Sequence, residues 1–198
     1  MVDAARNPDI ILVWPAGRAA PAAKPVPGYS VRDLPVALDA WWIDIHRLAV
    51  PSFRRADLES WLERYRELAL TDGILVATDD ASGEPVATAG SLANSKGGMF
   101  PGGGQLGWVA TVPSHRGRGL AHWLSSLATK RLLDDGFDRV FLCTGDDMLD
   151  AIRVYRRIGY IPCLYASDQR ERWARICEAT KGAFAPQHWP TPEEYLTG

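Results

Sequence analysis

The stretch "VPSHRGRGLAHWL" (residues 112–124) places two arginines among glycines directly before an apolar run. A strand-like segment, residues 106–112, precedes it, and apolar residues at helical spacing follow it. A strand, a glycine-rich turn and a helix in this order suit a phosphate, because glycine allows close backbone approach and the first N–H groups of a helix have no intrahelical partners. The stretch therefore predicts either an anion-binding turn or an ordinary turn with solvated arginines.

The composition of the whole chain restricts which anions such a turn is expected to bind. With 198 residues and 46% hydrophobic content, the chain can form one domain with a full core. Its formal net charge is −2, so no overall positive field attracts DNA or RNA, and we predict no nucleic-acid partner. The stretch contains neither a Walker GxxxxGK[ST] pattern nor a GxGxxG pattern, which argues against ATP hydrolysis and against a dinucleotide.

Cysteine usage and hydropathy indicate the compartment. Cys143, Cys163 and Cys177 lie far apart and form no CxxC pair, which argues against a zinc site and a secreted disulfide framework. The apolar run Ile10 to Trp14 is too short for a signal-peptide core or a membrane span. We therefore predict a cytoplasmic protein with no metal site and no membrane partner.

The first 28 residues differ in composition from the rest. Residues 15–28, "PAGRAAPAAKPVPG", are rich in proline and alanine and predict an extended connector. The apolar run before them predicts an extra strand or a docking arm. We divide the chain into this arm with its connector, residues 1–28, and a single domain, residues 29–198.

Beyond the connector, strand-like and helix-like periods alternate. Strands are predicted over residues 29–34, 73–78, 85–92, 106–112, 139–144 and 160–165, and helices over 35–46, 56–70, 120–134, 148–158 and about 169–180. Asp147 and Asp150 predict a side-chain cap at the start of the fourth helix. Residues 94–105 are too rich in glycine for regular structure and predict a mobile loop, and the last residues predict an irregular tail.

Two segments, residues 109–121 and 151–160, resemble the signature regions of the GNAT acyltransferase superfamily. Members of that superfamily transfer an acyl group from acyl-coenzyme A, usually to an amine. The first signature, V-x-P-x-x-[QR]-x-x-G-x-[GA], has Thr111 at its leading position and is otherwise matched by Pro113, Arg116, Gly119 and Ala121. The second, A-x-x-x-Y-x-x-x-G-[FY], is matched by Ala151, Tyr155, Gly159 and Tyr160. The resemblance extends from about Tyr29 to Tyr165.

This resemblance implies a fold, a cofactor and a binding site. The fold would be α/β (α+β), with a mixed, mostly antiparallel central sheet flanked by helices. Acetyl-CoA would be the co-substrate, and its pantetheine arm would pair like an extra strand with the backbone of Val109, Ala110 and Thr111. Its pyrophosphate would be received by the amides of Arg116, Gly117, Arg118, Gly119, Leu120, Ala121 and His122. The two arginines would add charge at the rim.

Tyr155 resembles the family tyrosine that protonates the departing thiolate. A phenol titrates near pH ~10, so it stays protonated at neutral pH and can act as an acid without special tuning. The alternative is a core aromatic, since Tyr155 lies on the apolar stripe of its helix.

Three departures from the family pattern matter. Met148 stands where the family often has asparagine, which puts cofactor contacts there in doubt. The strand over residues 106–112 carries no carboxylate, so deprotonation of the acceptor would have to use water, Asp146, Asp147 or an acceptor-side residue. After residues 160–165 the pattern turns helical, so the sheet would be completed by the tail or by a partner subunit, as in a homodimer.

The sequence contains no signature for the acceptor. Most candidates for the acceptor pocket are expected to be ordinary core or surface residues. They come from the regions that form this pocket in the family and are Trp41, Trp42, His46, Phe53, Arg54, Arg55 and Trp108. The preferred hypothesis is acetylation of a primary amine of a small molecule. Acetylation of a protein N-terminus or lysine, and binding of acyl-CoA without catalysis, are the alternatives.

Overall fold

The computed structural model describes residues 9–93 and 99–197. Within these ranges seven strands form one sheet in the order β2-β3-β4-β5-β6-β1-β7. The strands are β1 Ile10–Val13, β2 Tyr29–Asp33, β3 Ala69–Asp79, β4 Pro85–Ala93, β5 Gly104–Thr111, β6 Val140–Thr144 and β7 Ile161–Cys163. The helices are α1 Asp39–Ala49, α2 Arg55–Leu68, α3 Leu120–Asp134, α4 Leu149–Ile158, α5 Gln169–Thr180 and α6 Pro192–Thr197. Neighbouring strands are antiparallel except β5 and β6, which confirms the predicted mixed α/β fold.

Most predicted elements are confirmed, and the differences lie at their ends. β3 begins at Ala69, because that residue already pairs with Leu92 across a register shift, so the preceding helix ends at Leu68. Part of the predicted loop, residues 94–98, lies outside the described residues, and β5 begins at Gly104 within the rest of it. The tail is not irregular throughout, since it contains α6. The predicted acidic cap of α4 is wrong: Met148 is the N-cap residue and no side chain caps it.

The N-terminal apolar run is a strand inside the sheet. β1 lies between β6 and β7 and is antiparallel to both, with Leu12 opposite Leu142 on one side and Pro162 on the other. All four residues of β1 are buried. A strand covered on both faces is expected to be apolar throughout, which explains the run "IILV". The N-terminal segment of the chain therefore adds a strand inside the sheet, and β7 forms the edge for which the tail or a partner subunit was predicted.

Helices cover both faces of the sheet. On one face, Tyr65 of α2 donates its hydroxyl hydrogen to the carbonyl of Gly107 at 3.3 Å and lies over Gly90. The next residue of β4, Ser91, donates to the carbonyl of Ala128 in α3 at 3.0 Å. Because consecutive strand residues point to opposite faces, α2 and α3 pack on opposite sides of β4. Within the described residues, no helix is long and apolar enough to cross a membrane.

The short helix α6 holds the inserted strand in place. Tyr195 of α6 donates its hydroxyl hydrogen to the carbonyl of Trp14 at 2.9 Å and accepts a hydrogen bond from the amide of Val140 at 3.0 Å. Its ring packs against Phe100 in a small cluster that also contains Val13. The tail thus joins the end of β1 to the start of β6.

Replacing Leu12 by alanine is expected to lower the free energy of unfolding by about 2–5 kcal/mol, the usual cost of truncating a fully buried leucine. Urea denaturation measures this loss. The matched control is Val36→Ala, because Val36 is 70% exposed and its truncation should change stability by less than about 0.5 kcal/mol. A Leu12→Ala protein as stable as the wild type would show that β1 contributes little to the folded sheet.

Candidate active site

A cleft opens between the two parallel strands. The register between β5 and β6 pairs Gly104 with Val140 and Gln105 with Phe141, near the starts of both strands. Beyond these pairs, β5 continues to Thr111 beside β4, and β6 continues beside β1. The facing backbone edges of β5 and β6 therefore separate toward their carboxyl ends. The predicted pantetheine-binding residues, 109–111, lie on this separated part of β5.

A β-bulge in β5 accompanies the separation. Between the pairs Thr88 with Ala110 and Gly90 with Gly107, β4 has one residue and β5 has two, Trp108 and Val109. Trp108 has a φ of 51°, in the left-handed region. A non-glycine residue in that region costs on the order of 1–3 kcal/mol, and such strain concentrates at functional sites. Because a bulge bends and twists its strand, it accounts for the divergence of β5 from β6.

The turn after β5 presents backbone donors to open space. Gly119 is the N-cap residue of α3, with a φ of 91°, and no side chain caps the helix. The first N–H groups of a helix have no intrahelical partner, and in α3 no side-chain cap takes their place. A Cβ atom added at Gly117 would meet nothing within 4 Å, and one at Gly119 would meet only Val26 at 3.7 Å. An uncapped helix start beside free space fits a phosphate group.

The two arginines of the turn have different surroundings. Arg116 donates to the carbonyl of Thr111 at 3.2 Å and to that of Ala49 at 2.9 Å, so it fastens the turn to the ends of β5 and α1. Arg118 donates to the hydroxyl of Tyr29 at 2.8 Å and to the carbonyl of Ser114 at 3.2 Å. Both side chains are exposed. Because Arg116 occupies the Thr111 carbonyl, that carbonyl is not free to pair with a pantetheine arm in this arrangement.

The predicted acid lies on the helix after β6. Tyr155 is 7% exposed and lies on the buried stripe of α4. Burial raises the pKa of its phenol, so the hydroxyl remains protonated at neutral pH. The neighbouring signature residue Tyr160 is a core residue, since it is 1% exposed and its hydroxyl lies 2.8 Å from that of Thr129. The two rings meet edge to face at 6.4 Å.

One of the carboxylates proposed as a base is occupied by an ion pair. Arg172 of α5 donates to both oxygens of Asp146, with a distance of 2.9 Å from Nε to Oδ2. The Arg172 side chain is 2% exposed and that of Asp146 is 33% exposed. Both oxygens of the Asp146 carboxylate are therefore engaged by Arg172. Asp147 and Met148 are exposed.

An aromatic cluster packs around the bulge. The Trp108 ring contacts Trp42 and His46 of α1 at centroid distances of 5.3 and 5.5 Å, so three of the predicted acceptor-side residues lie together. Trp61 and Tyr65 of α2 complete the cluster, at 5.5 and 6.1 Å from the same ring. Sequence reasoning missed these two, although their spacing of four residues places them on one helix face.

The remaining acceptor-side candidates lie around or outside this cluster. Phe53 packs edge to face against Trp61 at 5.2 Å. Arg54 and Arg55 are exposed and form ion pairs on the surface of α2. The Trp41 ring is covered by the guanidinium of Arg32. Arg54, Arg55 and Trp41 thus have structural partners outside the aromatic cluster.

His46 has the properties of a structural histidine. It is 3% exposed, and its Nδ1 lies 2.9 Å from the carbonyl of Trp42, to which it donates. Burial lowers its pKa to about 4, against smaller opposing contributions from the backbone of Trp42 and Trp108. The imidazole is therefore neutral at pH 7 and is too weak a base to deprotonate an ammonium group.

Comparison with solved structures identifies the same fold elsewhere. A GCN5-related N-acetyltransferase from Sphaerobacter thermophilus aligns with 79% of this chain and 49% of its own, at 24% identity and a TM-score of 0.61. A GNAT-family acetyltransferase from Colwellia psychrerythraea aligns with 79% of this chain and 53% of its own, at 11% identity and a TM-score of 0.62. A GCN5-related N-acetyltransferase from Kribbella flavida aligns over 79% and 55%, at 23% identity and a TM-score of 0.52. The chain thus spans about half the length of these structures.

Family assignment rests on the sequence model. No curated protein matches the chain significantly. The model of the acetyltransferase (GNAT) family matches residues 42–160, which is more than half of the chain and includes β5, the turn, α3, β6 and α4. The cleft, the uncapped turn and Tyr155 all fall within the matched region. The chain therefore belongs to the GNAT family of acetyltransferases.

Proposed function

We propose that the protein transfers an acetyl group from acetyl-CoA to a primary amine of a small molecule. The observation that carries this proposal is the cleft between β5 and β6, which lies next to the uncapped start of α3. A strand edge and a helix N-terminus at one cleft suit a ligand that has both an extended amide-containing arm and phosphates.

Acetyl-CoA supplies an acyl group already activated as a thioester. The backbone of Val109 to Thr111 holds the pantetheine arm in the cleft, in the manner of an added strand. The amides of residues 117–122 receive the pyrophosphate, and the α3 dipole favours its negative charge. The amide of Arg116, which was predicted to take part, already donates to the carbonyl of Pro113 at 3.3 Å. The acceptor nitrogen attacks the thioester carbonyl carbon directly, the new C–N bond replaces the broken C–S bond, and Tyr155 gives its hydroxyl proton to the departing sulfur. The nitrogen loses a proton to solvent, and the Tyr155 phenolate regains one from solvent.

The acceptor side supports a small amine with an apolar or aromatic body. Trp108, Trp61 and Phe53 are partly exposed, whereas Trp42 and Tyr65 behind them are buried. Aromatic faces provide large apolar contact area and also attract cations. An alkylammonium or arylalkylamine could therefore pack against the exposed rings before it loses its proton.

Release of free thiol from acetyl-CoA, measured with a panel of amines, tests the proposed function. We expect release to depend on the acceptor and to be fastest with small amines that carry apolar groups. Faster release with peptides bearing a free N-terminus or a lysine would assign the protein-acetylating alternative. Binding of acetyl-CoA with no acceptor-dependent release would assign a binding module instead.

The pH dependence of the reaction is expected to follow the acceptor. Arg172 engages both oxygens of Asp146, and burial lowers the pKa of His46 to about 4, so we expect neither residue to take the proton of the acceptor. kcat/KM should therefore rise with pH as the fraction of unprotonated amine increases. The raised pKa of Tyr155 keeps it protonated, so it adds no falling limb at moderately alkaline pH.

Rate profiles with two acceptors of different basicity measure this dependence. The inflection should move with the pKa of the acceptor. An inflection that stays near pH ~6–7 with both acceptors, and that disappears in Asp147→Asn or Asp146→Asn, would identify a protein base and contradict the expectation.

A further inference from the structure

The hydroxyl of Tyr29 links the start of β2 to the turn between β5 and α3, residues 112–119. It accepts a hydrogen bond from Arg118 Nη1 at 2.8 Å and lies 2.9 Å from Nδ1 of His115. Arginine can only donate, so the hydroxyl accepts from Arg118, and it shares a second hydrogen bond with Nδ1 of His115 whose direction depends on the imidazole tautomer. Tyr29 therefore contacts two residues of the turn through a single oxygen.

These contacts hold the Arg118 guanidinium at two points. Nη1 is bound by Tyr29, and Nη2 donates to the carbonyl of Ser114 at 3.2 Å. A guanidinium has five N–H donors, so three remain for an anion. Arg118 is otherwise exposed, and an exposed arginine loses much rotamer freedom when a ligand immobilises it. Fixing the side chain in advance reduces that loss on binding.

The connector before β2 lies over the same turn. The Cγ2 atom of Val26 is 3.7 Å from the position of a Cβ added at Gly119. The amide of Tyr29 donates to the carbonyl of Val26 at 3.3 Å, and the carbonyl of Gly28 accepts from Asp80 at 3.0 Å. The end of the connector is thus anchored, and it places Tyr29 against the turn that precedes α3.

We propose that Tyr29 is a positioning residue for the phosphates of coenzyme A: its hydroxyl fixes the Arg118 guanidinium beside the uncapped start of α3. This inference rests on the proposed use of acetyl-CoA. A guanidinium in a fixed position next to helix N–H groups offers a phosphate both a positive charge and backbone hydrogen-bond donors. Phosphate groups bind tightly to this combination. Tyr29 acts through Arg118, which is the residue that contacts the phosphates in this proposal.

A double-mutant cycle on Tyr29 and Arg118 tests the inference by calorimetric titration with coenzyme A. Tyr29→Phe keeps the ring that packs edge to face on His115 and removes only the hydroxyl. We expect it to raise Kd about 3- to 10-fold, and to raise KM for acetyl-CoA similarly with kcat unchanged. In an Arg118→Gln background the same change should have almost no effect, because the group that Tyr29 positions is gone.

Ser30→Ala is the matched control, since the Ser30 hydroxyl on the same strand donates to Asp80 and not to the turn. It should leave Kd unchanged. Equal losses from Tyr29→Phe with and without Arg118, or a Tyr29→Phe protein with wild-type Kd, would overturn the positioning role while leaving the proposed function intact. A folded wild-type protein that does not bind coenzyme A would overturn both.

Discussion

Replacing Tyr155 by phenylalanine is expected to lower kcat about 10²-fold while KM for acetyl-CoA stays nearly constant. The phenyl ring keeps the packing of the buried stripe of α4, so the variant loses only the proton that Tyr155 holds. A loss confined to kcat is the signature of an interaction made only in the transition state. Steady-state kinetics with an active acceptor measure it, and thermal melting shows whether the variant is folded.

Tyr160→Phe is the control for this experiment. It removes another buried tyrosine hydroxyl from the same signature, one that is hydrogen-bonded to Thr129. We expect it to lower stability by about 1 kcal/mol, as loss of a buried hydrogen bond does, with little change in kcat. If Tyr155→Phe instead retained kcat within about threefold of the wild type, Tyr155 would be a core aromatic and the acid would lie elsewhere.

The elements that were predicted well are those that depend on local sequence. The helix over residues 120–134 has apolar residues at helical spacing and ends at "DDG", and it matches α3. The hairpin of β3 and β4 is indicated by two apolar runs around a turn-rich segment. The glycine-rich turn was also predicted from local sequence, and its Gly117 and Gly119 have positive φ, which glycine adopts readily.

Long-range pairing could not be predicted in the same way. The run Ile10–Val13 shows that a buried strand exists, but four apolar residues do not specify partners more than 120 positions away. The bulge at Trp108 depends on the register of β5 against β4, which no local pattern encodes. The pairing of Asp146 with Arg172 likewise depends on where α5 packs, which is why the sequence alone left Asp146 as a candidate base.

Replacing Gly119 by valine is expected to have the largest effect on cofactor binding, a loss of affinity for acetyl-CoA of at least about tenfold, or about 1.4 kcal/mol. Gly119 has a φ of 91°, which a β-branched residue tolerates poorly, so the turn must shift and the first N–H groups of α3 lose their arrangement. An added side chain would also fill the space beside those groups. Calorimetric titration with acetyl-CoA measures the loss.

Gly136→Val separates loss of the binding site from backbone strain. Gly136 has a φ of 88° and open space around its Cβ position, so valine there is strained in a similar way. It follows the other end of α3, a helix of 15 residues, and therefore lies about 20 Å from the turn. We expect both variants to lose stability, because both force a β-branched residue into the left-handed region, and only Gly119→Val to lose affinity. A folded Gly119→Val protein with wild-type affinity would show that the start of α3 does not bind the pyrophosphate, because a side chain at the N-cap of α3 must disturb a pyrophosphate that these amides bind.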